Sequence, residues 1–167
     1  MSTRGVLAVV EGDGWKGLYQ HSDSYPTWLG KGLWAWLQEH GTKEYAKTLK
    51  KHPGGYSSFP EVCYCHDESF GENGKVPTMR ITSKRPDPLF IEWVYAVDVE
   101  TEMVSVFEHQ DDEAFDEGRI LDSPKLEEDG WWNYGHCRYR HRLVGVFDLK
   151  GLEPDWEALE SRELAVA

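Results

Sequence analysis

The chain has 167 residues, and its 30 acidic against 18 basic residues give a formal net charge of −12. A chain of this length can bury roughly two-thirds of the surface that its unfolded form exposes, so one domain can build a core without disulfides. The negative surplus repels phosphates and argues against nucleic-acid binding, and the longest apolar run, Val6 to Val10, is too short to span a bilayer. We expect one soluble cytoplasmic domain.

A β-hairpin is predicted at the start of the chain. Gly5 to Val10 is apolar and β-branched, and Trp15 to Gln20 alternates between apolar and polar residues. The Asp13-Gly14 dipeptide between them favours a tight turn.

The residues after the hairpin are the first candidates for chemistry. If the second strand continues, His21, Asp23 and Tyr25 lie on one face, because side chains alternate along a strand. A carboxylate beside a histidine fixes its tautomer and raises its basicity, as a general base requires. Tyr25 or Arg4 would then stabilise developing negative charge. Ser2 is an alternative nucleophile, with its own amine as the base.

The competing interpretation of the same residues is structural. Asp23 or Ser24 would cap the next helix, and Tyr25 and Pro26 would shape a turn.

The first thirty residues contain three motifs: T-R-G at 3–5, the hairpin turn at 13–14, and Y-x-H-x-D-S-Y-P-x-x-L-G at 19–30. Together with a looser I-E-W-x-Y-x-x-D match at 91–98, they resemble a family of small uncharacterised proteins of phages and their hosts. The resemblance implies a phage-borne accessory protein in the host cytosol, and it implies no substrate.

Two helices are predicted next. Trp28 to His40 carries an apolar stripe at helical spacing, and Gly41 supplies a stop. Lys43 to Lys51 forms a second, shorter helix that His52 and the following Pro-Gly-Gly cannot continue.

An irregular segment at about 53–88 contains two of the three cysteines. Cys63, Cys65 and His66 lie within it, and His136 and Cys137 lie far along the chain. Three thiolates and one imidazole match the ligand set of a closed structural zinc site, and an open ligand position would make the site catalytic. The C-x-C spacing departs from the usual C-x₂₋₄-C, so reduced thiols beside surface histidines are the alternative.

The second half of the chain is predicted to be mostly strands. Leu89 to Asp98 alternates, Met103 to Phe107 returns beside it, and His141 to Leu149 forms another strand. A weaker strand lies around Met79 to Thr82, and Pro154 opens a short terminal helix. The predicted class is α+β, a mainly antiparallel sheet with two or three helices on one face.

The negative charge is concentrated in one segment. Glu108 to Asp129 contains ten acidic and two basic residues, a net −8, which leaves −4 for the rest of the chain. Three interpretations are open: a solvated loop, a divalent-cation site without EF-hand spacing, or a surface that fills the basic groove of a nucleic-acid-binding host protein. The residues proposed for partner binding are Asp111, Asp112, Glu113, Asp116, Glu117, Trp131 and Trp132.

The favoured functional hypothesis is a non-enzymatic acidic protein, of inhibitor or interaction type, that binds a protein partner. The alternative is a small hydrolase that uses His21 and Asp23. The chain has no Gly-rich phosphate loop, G-x-S-x-G or H-E-x-x-H motif, so such a hydrolase would need water, Ser2 or a bound metal.

Overall fold

The protein combines a mostly antiparallel sheet with helices, as the sequence patterns predict for an α+β chain. The computed structural model describes residues 3–20, 23–51, 57–58, 61–62, 80–82, 91–111, 125–126, 131–133 and 139–161. Side-chain surroundings are described for 3–20, 23–51, 91–109 and 141–161.

The sheet consists of five strands of six to ten residues and five of two or three residues. In chain order they are β1 (Gly5–Glu11), β2 (Gly14–Gln20), β3 (Ser57–Ser58), β4 (Glu61–Val62), β5 (Arg80–Thr82), β6 (Trp93–Asp98), β7 (Met103–Asp111), β8 (Lys125–Leu126), β9 (Trp131–Asn133) and β10 (Tyr139–Asp148). Their order in the sheet is β4-β3-β2-β1-β6-β7-β10-β9-β8, and β5 also pairs with β2.

The predicted hairpin is confirmed, with its turn one residue earlier than expected. Glu11 pairs with Gly14, so Gly12 and Asp13 form the two-residue loop. Gly12 has a φ of 61°, and a positive φ at the first loop position favours glycine. β1 also pairs with β6 in parallel, Gly5 opposite Trp93, so the two halves of the chain meet in the middle of the sheet.

β6, β7 and β10 form an antiparallel unit. In the turn between β6 and β7, the Asp98 carboxylate accepts the N–H groups of Glu100 and Thr101 at 3.0 and 3.1 Å. The Thr101 N–H in particular lowers the pKa of Asp98. β7 continues to Asp111, so the first residues of the acidic segment belong to the sheet and not to a loop.

The helical region begins with a π-helical turn at Pro26–Gly30, followed by α1 (Lys31–Lys51). The sequence predicts a helix that begins at Trp28. In the structure, the turn that contains Trp28 has the hydrogen-bond pattern of a π-helix, and the α-helix begins at Lys31. Gly41 is non-helical, with φ 81° and ψ 168°, and it divides α1 into two helical segments as predicted. α2 (Trp156–Ser161) follows Pro154.

Buried apolar side chains form two clusters. Neighbouring residues on β1 and β6 alternate between them, as expected for opposite faces of a sheet. The first cluster joins strand and helix residues: Leu7, Leu18, Leu33, Trp34, Leu37, Tyr45, Leu49, Trp93, Tyr95, Val97, Val104, Val106, Trp156 and Leu159. The members of the second lie on or next to strands: Val6, Ala8, Trp15, Tyr19, Ile91, Val94, Ala96 and Phe107. Both described helices therefore contribute to the first cluster.

In the part of the chain that the structure describes, four of the buried hydroxyl and imidazole groups donate to main-chain carbonyls of residues distant in the sequence. Tyr45 Oη donates to Ala8 O at 3.0 Å, and Thr42 Oγ1 donates to Val99 O at 3.0 Å. Tyr95 Oη donates to Ser24 O at 2.8 Å. Burial raises the pKa of both tyrosines well above the ordinary value, so they stay protonated and act as donors.

The fourth group is His141, which is fully buried on β10 with Nε2 2.8 Å from Ile91 O. Desolvation lowers the pKa of His141 to about 3, against the opposing effect of the Ile91 carbonyl. The ring is therefore neutral at physiological pH. A carbonyl oxygen can only accept, so the Nε2 of this ring carries the proton.

Candidate functional site

The strand does not continue through the candidate catalytic residues. β2 ends at Gln20, and Asp23 is exposed with a left-handed φ of 51°. The expectation that His21, Asp23 and Tyr25 share a strand face is therefore wrong. His21 itself, like Ser2, lies outside the described residues.

Ser24 forms a buried junction between the hairpin and the rest of the sheet. Its N–H donates to Thr3 O at 3.2 Å, and its carbonyl accepts the hydroxyl of Tyr95. A Cβ on Gly5 would lie 2.6 Å from the Cβ of Ser24, so the close approach requires glycine at position 5. The conspicuous T-R-G and D-S-Y motifs thus meet in a packing contact.

The turn after Ser24 has no side-chain cap. Tyr25 is the residue that precedes the π-helical turn, and no side-chain hydrogen bond caps that turn. The Tyr25 carbonyl accepts the N–H groups of Trp28, Leu29 and Gly30. The expected cap by Asp23 or Ser24 is therefore wrong, and the expected turn at Tyr25 and Pro26 is confirmed.

The described contacts of Arg4 are main-chain contacts of the sheet, and Tyr25 lies at the surface. The Arg4 carbonyl accepts the N–H groups of Glu92 and Trp93 at 2.9 and 3.3 Å, which joins β1 to the start of β6. Tyr25 is 37% exposed. Neither of these residues, nor Asp23, lines the clefts described below.

The candidate metal ligands Cys63, Cys65, His66, His136 and Cys137 lie outside the described residues. Within the described ranges, no group of three or more His, Cys, Asp or Glu side chains could hold a metal ion. The zinc site therefore stays a prediction.

The candidate partner-binding residues fall partly in the sheet. Asp111 ends β7, and Trp131 and Trp132 lie in β9, opposite Arg142 and His141 of β10. Their side chains lie outside the described part, as do Asp112, Glu113, Asp116 and Glu117 entirely. Glu108, the first residue of the acidic segment, has a side chain only 2% exposed, so the segment is not solvated at its beginning.

A cleft of about 340 Å³ lies between the start of the helical region and α2. It is lined by Thr27, Lys31 and residues 153–157. Pro154 and Trp156 are buried, whereas Lys31 and Glu157 are exposed, so two buried side chains form part of the wall of the cleft and charged side chains border its opening.

The interior wall of the cleft is held firmly. The Trp156 ring contacts Trp34 edge-on at 6.1 Å between centroids, and its Nε1 donates to Glu153 Oε1 at 2.8 Å. A Cβ on Gly30 would lie 2.9 Å from the rings of both Trp156 and Tyr95. The indole of α2 is therefore fixed against the π-helical turn and α1.

The two sides of the cleft are bonded to each other. The Thr27 N–H donates to Glu160 Oε2 at 3.1 Å, and the Thr27 hydroxyl bonds to the same carboxylate oxygen. Asp155 Oδ1 accepts the Ala158 N–H at 3.0 Å and caps α2. The cleft is thus preformed and does not depend on a ligand to assemble.

The rim of the cleft is acidic. Glu153, Asp155 and Glu157 oppose Lys31, which gives the lining a net charge of −2. Carboxylates that already accept one hydrogen bond keep further acceptor sites, so Glu153 and Asp155 can still bind a donor.

Two large exposed apolar residues are neighbours, in the sequence, of residues that line this cleft. Trp28, next to Thr27, is 71% exposed, and Leu152, next to Glu153, is 93% exposed. Sequence reasoning placed Trp28 in a helix and missed its exposure. The available signal was that Trp28 shares helical spacing with Gly32, Ala35 and Glu39, off the apolar stripe at Leu29, Leu33, Trp36 and Leu37.

A second cleft, of about 460 Å³, lies where Gly41 interrupts α1. Lys43 and His40 face Glu100 and Glu102 there, and Lys150 Nζ lies 2.8 Å from Glu102 Oε2. Its charges are mixed, and none of its lining residues is next in the sequence to a large exposed apolar residue. The first cleft is therefore the stronger candidate.

Comparisons of the chain with family models, with curated proteins and with solved structures found no match. In the part of the chain that the structure describes, the helices are too short or too polar to cross a membrane. The candidate site is assigned from its own geometry.

Proposed function

We propose that this protein is a non-enzymatic acidic protein that binds a basic segment of a protein partner, as an inhibitor or interaction module. The observation that carries the proposal is an acidic cleft lined by Thr27 and Glu153, whose neighbours in the sequence, Trp28 and Leu152, are large exposed apolar residues. Exposed tryptophans surrounded by a polar rim are typical anchors of protein interfaces.

The charge of the chain supports a basic partner. A net charge of −12 attracts cationic surfaces and repels acidic ones. We include in the proposal the acidic segment, with Asp111, Asp112, Glu113, Asp116 and Glu117, and the neighbouring Trp131 and Trp132 as further anchors. A basic nucleic-acid-binding host protein is the partner class that this charge favours.

The context and the finer architecture belong to the same proposal. Resemblance of the first thirty residues to proteins of phages and their hosts supports a phage-associated accessory role in the host cytosol. The shared cluster of strand and helix residues supports two or three helices packed on one face of the sheet. A structural zinc at Cys63, Cys65, Cys137 and His66 or His136 is proposed from their ligand types alone.

The hydrolase alternative gains no support from the described residues. Asp23 is exposed in a left-handed conformation, and the contacts of Ser24 and Tyr25 are those of a turn. No contact among them resembles an oriented base and nucleophile, so we do not propose that activity.

The test uses the full chain and two synthetic peptides, one alternating basic residues with leucine and one alternating glutamate with leucine. We expect only the basic peptide to bind, with an affinity that falls as salt rises, because exposed charges are screened within about 3 Å at 1 M salt. Calorimetric titration at low and high salt measures the affinity for each peptide and the dependence of that affinity on salt. Equal binding of the two peptides, or binding of neither, would refute the proposal.

Two variants locate the binding surface in the same assay. Trp28→Ser should weaken binding of the basic peptide at the cleft. Replacing Asp111, Asp112, Glu113 and Asp116 together by lysine should weaken it through the acidic segment. Val146→Ser is the matched control, since Val146 is 47% exposed on β10 and does not line the cleft.

A further inference from the structure

The second half of α1 carries a concentration of positive charge in a chain that is strongly negative. Its exposed residues include four lysines, which we call the lysine face: Lys43, Lys47, Lys50 and Lys51. We infer that the lysine face binds the acidic segment of a second copy of this chain, so that copies associate head to tail. The proposed function does not use the lysine face, and the inference does not rest on that function.

The first argument is the arrangement of the lysines on the helix. At 3.6 residues per turn, Lys43, Lys47 and Lys50 fall within a sector of about 60°. Tyr45 and Leu49, which are buried in the first cluster, lie on the opposite side. Two of the lysines belong to the last turn, where the helix dipole favours cations, whereas Lys43 and Lys47 lie before it. The helix dipole therefore does not account for the whole face.

The second argument is charge complementarity between two parts of the chain. Residues 42–51 contain four lysines and one acidic residue, a net +3. Residues 111–117, within the acidic segment, contain five acidic and no basic residues. Surfaces of opposite sign attract each other and fix the orientation in which two molecules meet. A second copy therefore supplies a segment of the charge that the lysine face requires.

The third argument is the distance between the two regions along the strands of one chain. The lysine face begins at the turn between β6 and β7, because Thr42 Oγ1 donates to Val99 O and Lys43 lines a cleft with Glu100. The acidic segment reaches Asp111 at the opposite end of β7. At about 3.3 Å per residue, these two ends of β7 lie about 26 Å apart.

The two regions are also separated across the sheet. Tyr45 Oη donates to Ala8 O, so this part of α1 lies over β1. The acidic segment connects β7 to β8, and β8 is five strands away from β1 in the sheet order, or about 24 Å at the usual strand spacing. These separations favour a contact between copies over a contact within one chain. Pairing of two different surfaces is heterologous and builds rings or chains of copies.

Sedimentation velocity of the full chain over a range of protein concentrations tests the inference. The Debye length is about 10 Å at 0.1 M salt and about 3 Å at 1 M. At the lower salt, repulsion between distant charges is largely screened, whereas charges in contact still attract each other. We expect association that rises with protein concentration at 0.1 M salt, and an association constant at least about tenfold lower at 1 M.

Two variants each remove one side of the contact. In the lysine-face variant, glutamine replaces Lys43, Lys47 and Lys50. In the acidic-segment variant, amides replace four carboxylates: D111N, D112N, E113Q and D116N. Neither variant should associate alone. An equimolar mixture should form dimers, because the first variant supplies an intact acidic segment and the second an intact lysine face. A misfolded variant would not recover association in the mixture.

The matched control replaces three exposed lysines outside the face by glutamine: Lys16, Lys31 and Lys150. It removes the same charge as the lysine-face variant and should associate as the parent protein does. A monomer at both salt concentrations, equal association of the control and the lysine-face variant, or a mixture that stays monomeric would each overturn the inference.

Two further measurements identify other occupants of the lysine face. If the parent protein is monomeric and the amide resonances of residues 43–51 shift in the acidic-segment variant, the contact lies within one chain and the inference is overturned. Binding of a DNA duplex through the lysine face of a monomeric protein would assign the face to phosphates and overturn it as well. Failure of the basic-peptide titration would refute the proposed function and leave the self-association standing.

Discussion

The buried polar groups inside the fold and the carboxylates around the cleft have opposite roles. Inside, Tyr45, Tyr95, Thr42 and His141 each donate to a main-chain carbonyl. Around the cleft, the carboxylates of Glu153 and Asp155 accept one hydrogen bond each and still face solvent at the rim. The first set holds the fold together, whereas the second remains available to a partner.

The most conspicuous motif of the sequence shows this difference. The residues from 19 to 30 carry the family-like pattern, and Ser24 in this stretch contacts Gly5 and Tyr95 within the core. Among the described residues of the stretch, Trp28 is the large apolar residue with the highest exposure. A motif rich in His, Asp and Tyr can therefore encode a junction, with the exposed neighbour beside it.

The largest expected effect is a loss of folding stability at acidic pH, caused by the buried His141. The folded pKa of His141 is about 3 against 6.5 in the free side chain, so between these values the unfolded chain binds a proton that the folded one does not. Its contribution to stability is complete above pH 6.5 and is lost as the pH falls towards 3, with a loss of about 3 kcal/mol by pH 4.

Urea unfolding at pH 7 and pH 4 measures that loss. His141→Gln keeps a donor for the Ile91 carbonyl and does not titrate, so it should lose less stability over the same interval. An identical pH dependence in the two proteins would show that His141 is not the group responsible.

The next effect concerns the close packing behind the cleft. Gly30→Ala places a Cβ 2.9 Å from the rings of Tyr95 and Trp156. We expect a loss of about 2 kcal/mol from overpacking, visible as a lower urea midpoint. Gly32→Ala is the matched control, because nothing lies within 4 Å of a Cβ there and alanine favours a helix. Equal effects of the two changes would contradict the packing at Gly30.

A smaller effect is expected for the hydroxyl of Tyr95. Tyr95→Phe keeps the ring and removes the donor to Ser24 O, so the free energy of unfolding should fall by about 1 kcal/mol. Thermal or urea unfolding detects the change. A stability equal to that of the parent protein would mean that Ser24 O finds another donor at no cost, and the junction would then depend on packing alone.

The smallest effect on stability is expected for changes at Trp28 and Leu152, two exposed residues next in the sequence to lining residues of the cleft. Trp28→Ser and Leu152→Ser should change the free energy of unfolding by less than about 0.5 kcal/mol, because both side chains are largely in solvent. The same variants should lose binding of the basic peptide. A large loss of stability in either variant would show that the residue supports the fold, as the buried groups do. It would contradict the distinction between the buried groups and the exposed residues near the cleft.

Much of the local structure follows from the sequence because it depends on neighbours along the chain. Alternation predicts β1, β2, β6 and β10, and Gly41 predicts the break within α1. The turn lies one residue earlier than predicted because both Gly12-Asp13 and Asp13-Gly14 are dipeptides that suit a tight turn. The pairing of Glu11 with Gly14 selects Gly12-Asp13.

The candidate site was not predictable in the same way. Thr27 and Lys31 lie more than a hundred residues from Glu153, Asp155 and Glu157 in the sequence, and no local pattern brings the two groups together. Glu108 shows that a local pattern can also mislead. A run of acidic residues suggests a solvated loop, but β7 extends into the start of this run and Glu108 is buried.

The sequence by itself determined the α+β class, the main strands and helices and the concentration of negative charge, because periodicity and composition act locally. Only the tertiary structure decided that β1 pairs in parallel with β6, that Tyr95 and His141 donate to main-chain carbonyls, and that Thr27 and Lys31 line one cleft with residues 153–157. These depend on contacts between distant residues, whose free energy is gained only when the whole sheet and both helices pack together.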